Sequence, residues 1–376
     1  MVSVKSTATR ATQLLLLFSL LAQLASITTG QILPRVTVMG RVVDESNGEA
    51  LPNANVFLAE TLLGAASDPD GAFIIRSVPL GVYDLVVSMV GYQRRVLPLR
   101  LLEPGETRVD VRLQPTAIQT GTVEVVAKVP REWRKNFERF EKEFFGETRN
   151  AAQCKIVNPE ALDFRDEDDG FEVVLQVPIV IENRAFGYQI DFFIEEFRIQ
   201  QYTIQYRAKP KFQELSPRDD EELNQWRENR RKAYYGSRRH FLAALARGTT
   251  AEEGFEVSLV PNIRPLSRNY REARLLVKPE QYVLNTKYDF QKRLRFPDYL
   301  QIVYTRERAE PNFQYVFDPP APYAEIQVSW IKMNRLTVLF DLAGNTPESY
   351  ALKVHGYWAF ERVAELLPMD YEPPNN

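Results

Sequence analysis

The chain has 376 residues, 44% of them hydrophobic and 26% charged, a globular mixture that excludes a disordered chain, a collagen-like fibre and a multi-span helical membrane protein. Its 47 Lys and Arg stand against 50 Asp and Glu, and the net charge of −3 gives no electrostatic reason to expect nucleic-acid binding. The single cysteine, Cys154, cannot form an internal disulfide, and two histidines leave little for metal chemistry.

Residues 1–30 read as a secretory signal peptide. Lys5 and Arg10 supply a basic start, Leu14 to Ala25 an apolar run, and Ser26 to Gly30 the small and polar residues before a cleavage site. The run is well short of the ~20 residues a spanning helix needs, which opposes the alternative of an uncleaved anchor. No cysteine near that site suits a lipid anchor. Removing two basic residues and no acidic ones leaves the mature chain at −5.

Residues 31–128 read as an all-β antiparallel sandwich. Val36, Val38 and Val42 fall on one face of a first strand. Ala54 to Ala59, Ala72 to Arg76, Tyr83 to Met89, Arg94 to Leu101, Thr107 to Leu113 and Thr122 to Ala127 follow as short strands. Turn signals separate them: Asn47-Gly48, Asp68-Pro69-Asp70-Gly71, Pro79-Leu80-Gly81, Gly91 and Pro104-Gly105. Asp68 and Asp70 offer too few oxygens for calcium and suit a side-chain-braced turn better.

Five separated motifs come in a fixed order: Gly40-Arg41-Val42-Val43-Asp44, Leu51-Pro52-Asn53-Ala54-Asn55-Val56, Ser67 to Phe73, Val78 to Tyr83, and Gly91-Tyr92. Together they resemble a carboxypeptidase regulatory-like domain. The resemblance implies a transthyretin-like (prealbumin-like) fold and an accessory, non-catalytic module of envelope proteins of the Bacteroidota type.

Residues 129–376 read as a mixed α+β domain on a largely antiparallel sheet. Trp133, Phe137, Phe140 and Phe144 recur at helical spacing, with Gly146 as the stop, and this aromatic stripe suits a core face. Phe171 to Ile181, Tyr188 to Phe197 and Gln201 to Arg207 read as strands. Asp219 to Tyr235 reads as a helix with acids at its start and bases at its end, and Ser237 caps a second helix through Leu245. Glu256 to Val260, Arg271 to Val277, Leu300 to Thr305, Glu325 to Ile331 and Leu336 to Phe340 read as strands, and Tyr350 to Leu366 as mostly helical. Phe140 to Gly146, Cys154 to Pro159, Ala233 to Ser237 and Gly356-Tyr357-Trp358 resemble a set of exported Bacteroidota proteins with the same N-terminal module. That resemblance implies architecture and no activity.

Neither His240 nor His355 belongs to a His-x-x-Glu pair, so the ligand set of a metallocarboxypeptidase is missing. Nothing in the spacing makes Cys154 and His240 a nucleophile pair, and a lone Cys is more often a small buried hydrophobe. The acidic run Asp166 to Gly170 suits a solvated hairpin loop. The densest positive stretch surrounds two helices, and from it Arg231, Tyr234, Tyr235, Arg238 and His240 are the candidates for binding an anion or glycan; the competing reading is a solvated face. No phosphate loop, dinucleotide fingerprint or nucleophile elbow occurs.

The expectation is therefore a non-catalytic, exported cell-envelope protein, periplasmic, outer-membrane-associated or secreted, that binds an envelope protein or a glycan. No cofactor, no nucleic acid and no transmembrane span in the mature chain are expected. The alternatives are an envelope hydrolase acting on peptides or glycans through carboxylates, and an outer-membrane receptor accessory. Export should remove residues 1–30 or thereabouts, and mass spectrometry of the envelope fraction checks this, since an intact Met1 would contradict it.

Overall fold

The computed structural model describes residues 34–116, 130–167, 170–175, 177–200, 203–261, 274–316, 325–348 and 350–374. The expected signal peptide, the strand Thr122 to Ala127 and most of the expected boundary lie outside them.

Among the described residues eight strands build the N-terminal sandwich: β1 Arg35–Asp44, β2 Asn55–Leu58, β3 Gly64–Ala66, β4 Ala72–Pro79, β5 Gly81–Ser88, β6 Arg95–Leu101, β7 Gly105–Arg108 and β8 Val111–Leu113. One sheet has the order β4-β1-β7, with β8 also on β1, and the other β3-β2-β5-β6. Val36, Val38 and Val42 point inward, as their alternation predicts, and meet Leu85, Val87 and Leu101 of the facing sheet. Thr107 to Leu113, expected as one strand, is two. Both β7 and β8 run parallel to β1, and at the break between them the Asp110 carboxylate accepts the Arg41 backbone N–H at 3.0 Å. The Asp68 carboxylate accepts from the backbone N–H groups of Asp70 and Ala72 at 2.9 and 2.8 Å, which is the braced turn the sequence suggests.

The second region opens with helix α1 Arg131–Phe145. Then come β9 Cys154–Ile156, β10 Leu162–Glu167, β11 Gly170–Leu175, β12 Ile179–Asn183, β13 Tyr188–Gln200 and β14 Thr203–Glu214. Helices α2 Asp220–Tyr234 and α3 Arg238–Arg247 follow. The rest is β15 Phe255–Val260, β16 Leu275–Leu276, β17 Val283–Asn285, β18 Gln291–Leu294, β19 Tyr299–Arg308, β20 Ile326–Met333, β21 Val338–Asp341, β22 Leu352–Gly356 and the one-turn helix α4 Tyr357–Phe360. Antiparallel ladders give the sheet β10-β11-β13-β12-β9 with β14 along the other edge of β13, the sheet β16-β15-β19-β20-β22, and the small sheet β17-β18-β21. Among the described residues no helix is long and apolar enough to cross a membrane.

The aromatic stripe of α1 is core. Phe140 and Phe144 are fully buried, and their rings lie 4.9 Å from Phe197 and 5.1 Å from Phe192 of β13. Phe171 to Ile181 is not one strand, because Pro178 cannot donate to a ladder and the chain pairs with the two ends of β13 separately, through β11 and β12. Tyr350 to Leu366 is mostly not helical. Leu352–Gly356 hydrogen-bonds the edge of β20, and this tertiary pairing overrides local helix preference. Glu167 pairs with Gly170 at the end of the β10–β11 ladder, and Asp168 and Asp169 of the acidic run lie outside the described residues.

Sandwich and second region form one compact unit. Pro210 of β14 accepts the Glu60 N–H at 2.6 Å, and the Phe212 N–H reaches Thr61 O at 3.3 Å. Lys209 pairs with Asp84, Lys211 donates to Asn55 at 2.9 Å, and Phe57 stacks on Phe193 at 5.6 Å. The C-terminal segment closes the seam: Met369 N–H donates to Glu60 O at 2.6 Å, and Asp370 accepts the Leu62 N–H at 3.0 Å.

Gly187 shows how tightly the second region is packed. It sits at φ +69°, and a Cβ there would lie 2.1 Å from Trp226 Cε3, with the indole itself buried. Gly187→Ala combines left-handed strain with overpacking and should destabilise by about 3 kcal/mol. Chemical denaturation of the variant checks this.

Candidate functional site

The five candidate residues of the basic stretch do not form one surface. Arg231, on the last turn of α2, is bidentate to Glu228 at 2.9 Å for both bonds. Tyr234 is buried, with the Arg239 guanidinium 5.3 Å over its ring and Tyr235 edge-on at 5.5 Å. His240 is 1% exposed and lies among Tyr234, Tyr235, Phe255 and Tyr304. The Gly236 N–H donates to its Nδ1 at 3.0 Å, which leaves the proton on Nε2, 3.1 Å from Glu253. Burial lowers its pKa against the opposing pull of Glu253, so this histidine is a neutral core bridge.

Arg238 differs from the other four. It opens α3, directly after the capping Ser237, and its side chain makes no hydrogen bond or ion pair among the described residues. It is exposed, yet desolvation by surrounding protein lowers its pKa, with Tyr206 and Glu60 opposing.

Four other titratable groups with shifted pKa values come from distant segments of the chain. Tyr206 of β14 is 36% exposed with its ring 6.2 Å from Phe197; burial raises its pKa, Glu60 adds to the rise, and Arg238 and Arg362 oppose it. Glu60, on the sandwich loop between β2 and β3, is held at φ +64° by backbone bonds on both sides, and its carboxyl is raised by burial. Arg362 packs its stem against Gly146, and its pKa is lowered by burial. Tyr350, at φ +59° and 44% exposed, is raised by burial, with Glu196 and Tyr206 adding to the rise and Arg207 opposing it. Glu60 and Tyr350 are two of the five non-glycine residues with positive φ among the described residues, and such strain persists only where the surroundings impose it. Sequence reasoning singled out none of Glu60, Tyr206, Tyr350 or Arg362.

A second group of titratable residues gathers at the loop after α1. Glu365 accepts from Thr148 Oγ1 and, at 2.9 Å, from Asn150 Nδ2; Glu310 accepts the Arg149 N–H at 2.9 Å. Burial raises Glu361 well above the usual carboxylate range, and Glu365, Glu307 and Glu310 add to it. Burial likewise pushes Glu365 up to about 7. Among the described residues no group of three or more His, Cys, Asp or Glu is placed to hold a metal ion. Cys154 is raised by burial, which makes it a poor nucleophile, and its Sγ lies 3.5 Å from Asn150 O. A separate cavity of about 730 Å³ at the start of α2 is lined by Gln153, Arg218, Glu221, Gln225 and others. Its central carboxylate, Glu222, is already committed to Arg184 and Arg218.

Residues 38–125 match the family model of the CarboxypepD_reg-like domain. The sandwich is therefore a domain of the type its ordered motifs resemble. No curated protein matches the chain. Solved structures with similar parts include a type II cohesin–X-dockerin complex from Acetivibrio cellulolyticus, at 18% identity over 20% of this chain and 52% of that one, with a TM-score of 0.18. The 5-hydroxyisourate hydrolase of Klebsiella pneumoniae matches at 18% identity over 22% of this chain and 92% of that one, TM-score 0.19. The pilus 2b backbone protein of group B streptococcus matches at 15% identity over 22% and 41%, TM-score 0.20. The chain spans about half the length of the cohesin–dockerin chain it matches. Likenesses at these scores establish no activity.

The glutamates make stability depend on pH in a definite direction. Glu365 has its folded pKa raised from 4.5 to about 7, so the folded state holds the proton more tightly than the unfolded state. Its contribution is full below pH 4.5 and is lost as pH rises through about 7. The loss is about 3 kcal/mol at one pKa unit per 1.36 kcal/mol. Glu365→Gln should flatten the fall in unfolding free energy between pH 5 and 8. An unchanged slope in the variant would contradict this assignment.

Proposed function

We propose that the protein is an exported, non-catalytic binding protein of the cell envelope. In this proposal residues 1–30 direct export, the sandwich spans 31–128, and the α+β region 129–376 carries the ligand site with the sandwich docked as an accessory. The ligand is an envelope glycan or protein, and neither cofactor nor nucleic acid takes part. The observation that carries this is the match of residues 38–125 to the CarboxypepD_reg-like domain, which docks on the β14 edge through Glu60, Thr61, Asp84 and Asn55.

A second reading, a hydrolase working through carboxylates, has one observation in its favour. Glu361 and Glu365 are held protonated toward neutral pH, as a general acid requires, beside further glutamates.

One experiment separates the two. The mature protein is immobilised and presented with panels of envelope glycans and peptides, and the same panels are assayed for turnover. Retention of a defined ligand without turnover is the expected outcome. Hydrolysis that disappears in both Glu361→Gln and Glu365→Gln would establish the second reading instead. Limited proteolysis should cut between Gln114 and Arg131, where Pro115, Gly121 and Pro130 punctuate the chain.

A further inference from the structure

We infer that the cavity at the start of α2 takes a neutral oligosaccharide, whose hydroxyl groups hydrogen-bond Gln153, Arg184, Glu221 and Gln225. This rests on the binding function proposed above and names its site and ligand class.

Three segments build the cavity, and bonds between them fix it. Gln153 ends the short helical turn Ala151–Gln153 after α1, and its carbonyl accepts the Arg184 N–H at 3.0 Å. Arg184 stands on the turn between β12 and β13. That turn is tied to α2: Asn229 Nδ2 donates to the Ala185 carbonyl at 2.9 Å, and Arg230 Nε to the Phe186 carbonyl at 2.7 Å. The Arg184 guanidinium lies 5.3 Å over the Trp226 ring and donates to Glu222. Arg218 donates to the same carboxylate at 3.2 and 3.0 Å. Asp219 caps the helix by accepting the Glu222 N–H at 2.8 Å. The walls are thus set before a ligand arrives, which limits the ordering that binding requires. The space between them is about 730 Å³, inside the range of roughly 300–1,000 Å³ usual for small-molecule sites.

The groups these bonds leave over select the ligand. Arg184 donates to Glu222 through Nη2, and its Nε and Nη1 have no hydrogen-bond partner among the described residues. Neither have the side chains of Gln153 and Glu221. Gln225 donates to Asn229 at 2.8 Å and keeps its side-chain carbonyl free. Trp226 belongs to the same lining, and its indole N–H is buried with no hydrogen-bond partner among the described residues, a condition such a group usually escapes. Unpaired donors and unpaired acceptors therefore stand side by side. A hydroxyl group donates and accepts at once, so a polyol satisfies both sets. Charge opposes an ionic ligand. An anion meets three carboxylates against two guanidinium groups, and a cation meets the unspent N–H groups of Arg184. No aliphatic side chain belongs to the lining, so the apolar anchor of a peptide partner has no pocket here.

Calorimetric titration of the full mature chain tests this with five probes: the neutral trisaccharides maltotriose, cellotriose and triacetylchitotriose, and the charged trigalacturonate and trilysine. At least one neutral trisaccharide should bind, more tightly than either charged probe and with an affinity that salt leaves unchanged. Gln153→Ala combined with Gln225→Ala should weaken that binding by about tenfold or more. Both side chains are exposed, so the melting temperature should stay near that of the parent protein, and Glu221→Ala serves if the double variant does not fold. Three results would overturn the inference: no neutral trisaccharide binding, a charged probe binding more tightly than all three, or an unchanged affinity in a folded variant. In the first two cases the binding function stands if the glycan and peptide panels retain another ligand, and only the ligand class is wrong. In the third a binding protein remains and the site lies elsewhere. If neither these probes nor the panels are retained, the binding function fails with it.

Discussion

The Pro210 carbonyl in β14 fixes the relation of the two halves. A proline has no N–H to give a ladder, so within a sheet it belongs on an edge, and an edge strand leaves backbone groups without partners. Here the partner is the sandwich. The Glu60 N–H takes the Pro210 carbonyl, and the Thr61 carbonyl takes the Phe212 N–H. The lysines on either side of Pro210 then reach Asp84 and Asn55, on two neighbouring strands of the same sandwich sheet. An edge that would otherwise invite a foreign strand is covered by the accessory domain, and Phe57 on Phe193 makes the contact apolar at its centre.

That contact dictates the conformation of Glu60. Its N–H is fixed by Pro210 and its carbonyl by Met369, and between the two the residue is held in left-handed backbone. The strain, on the order of 1 kcal/mol, is imposed by the seam.

This explains what the sequence made legible. Alternating valines, turn glycines and the capped helices after Asp219 and Ser237 are local signals, and they correctly placed most of the sandwich, α1, α2 and α3. The failures are where a distant partner decided the outcome. Leu352–Gly356 is a strand because β20 offers it an edge, and Thr107 to Leu113 divides because Asp110 reaches Arg41. The candidate site failed in the same way. Arg231, Tyr234, Tyr235, Arg238 and His240 are neighbours in sequence, but a helix end and a cap turn them in different directions. Arg231 is bonded to Glu228, Tyr234 and His240 are buried, and Arg238 is exposed. No periodicity could have joined them.

The segment after α4 is tied to the loop after α1. Glu361 pairs with the Gly146 backbone, Arg362 packs its stem against the same glycine, and Glu365 accepts from Thr148 and Asn150. Glu310 joins the group by accepting the Arg149 N–H. Extended backbone at Glu361 and Arg362 lets these bonds form, so the local helix preference of this stretch ends after one turn. The bonds bring three glutamates to one loop, and burial there raises the pKa of each, favouring the protonated form.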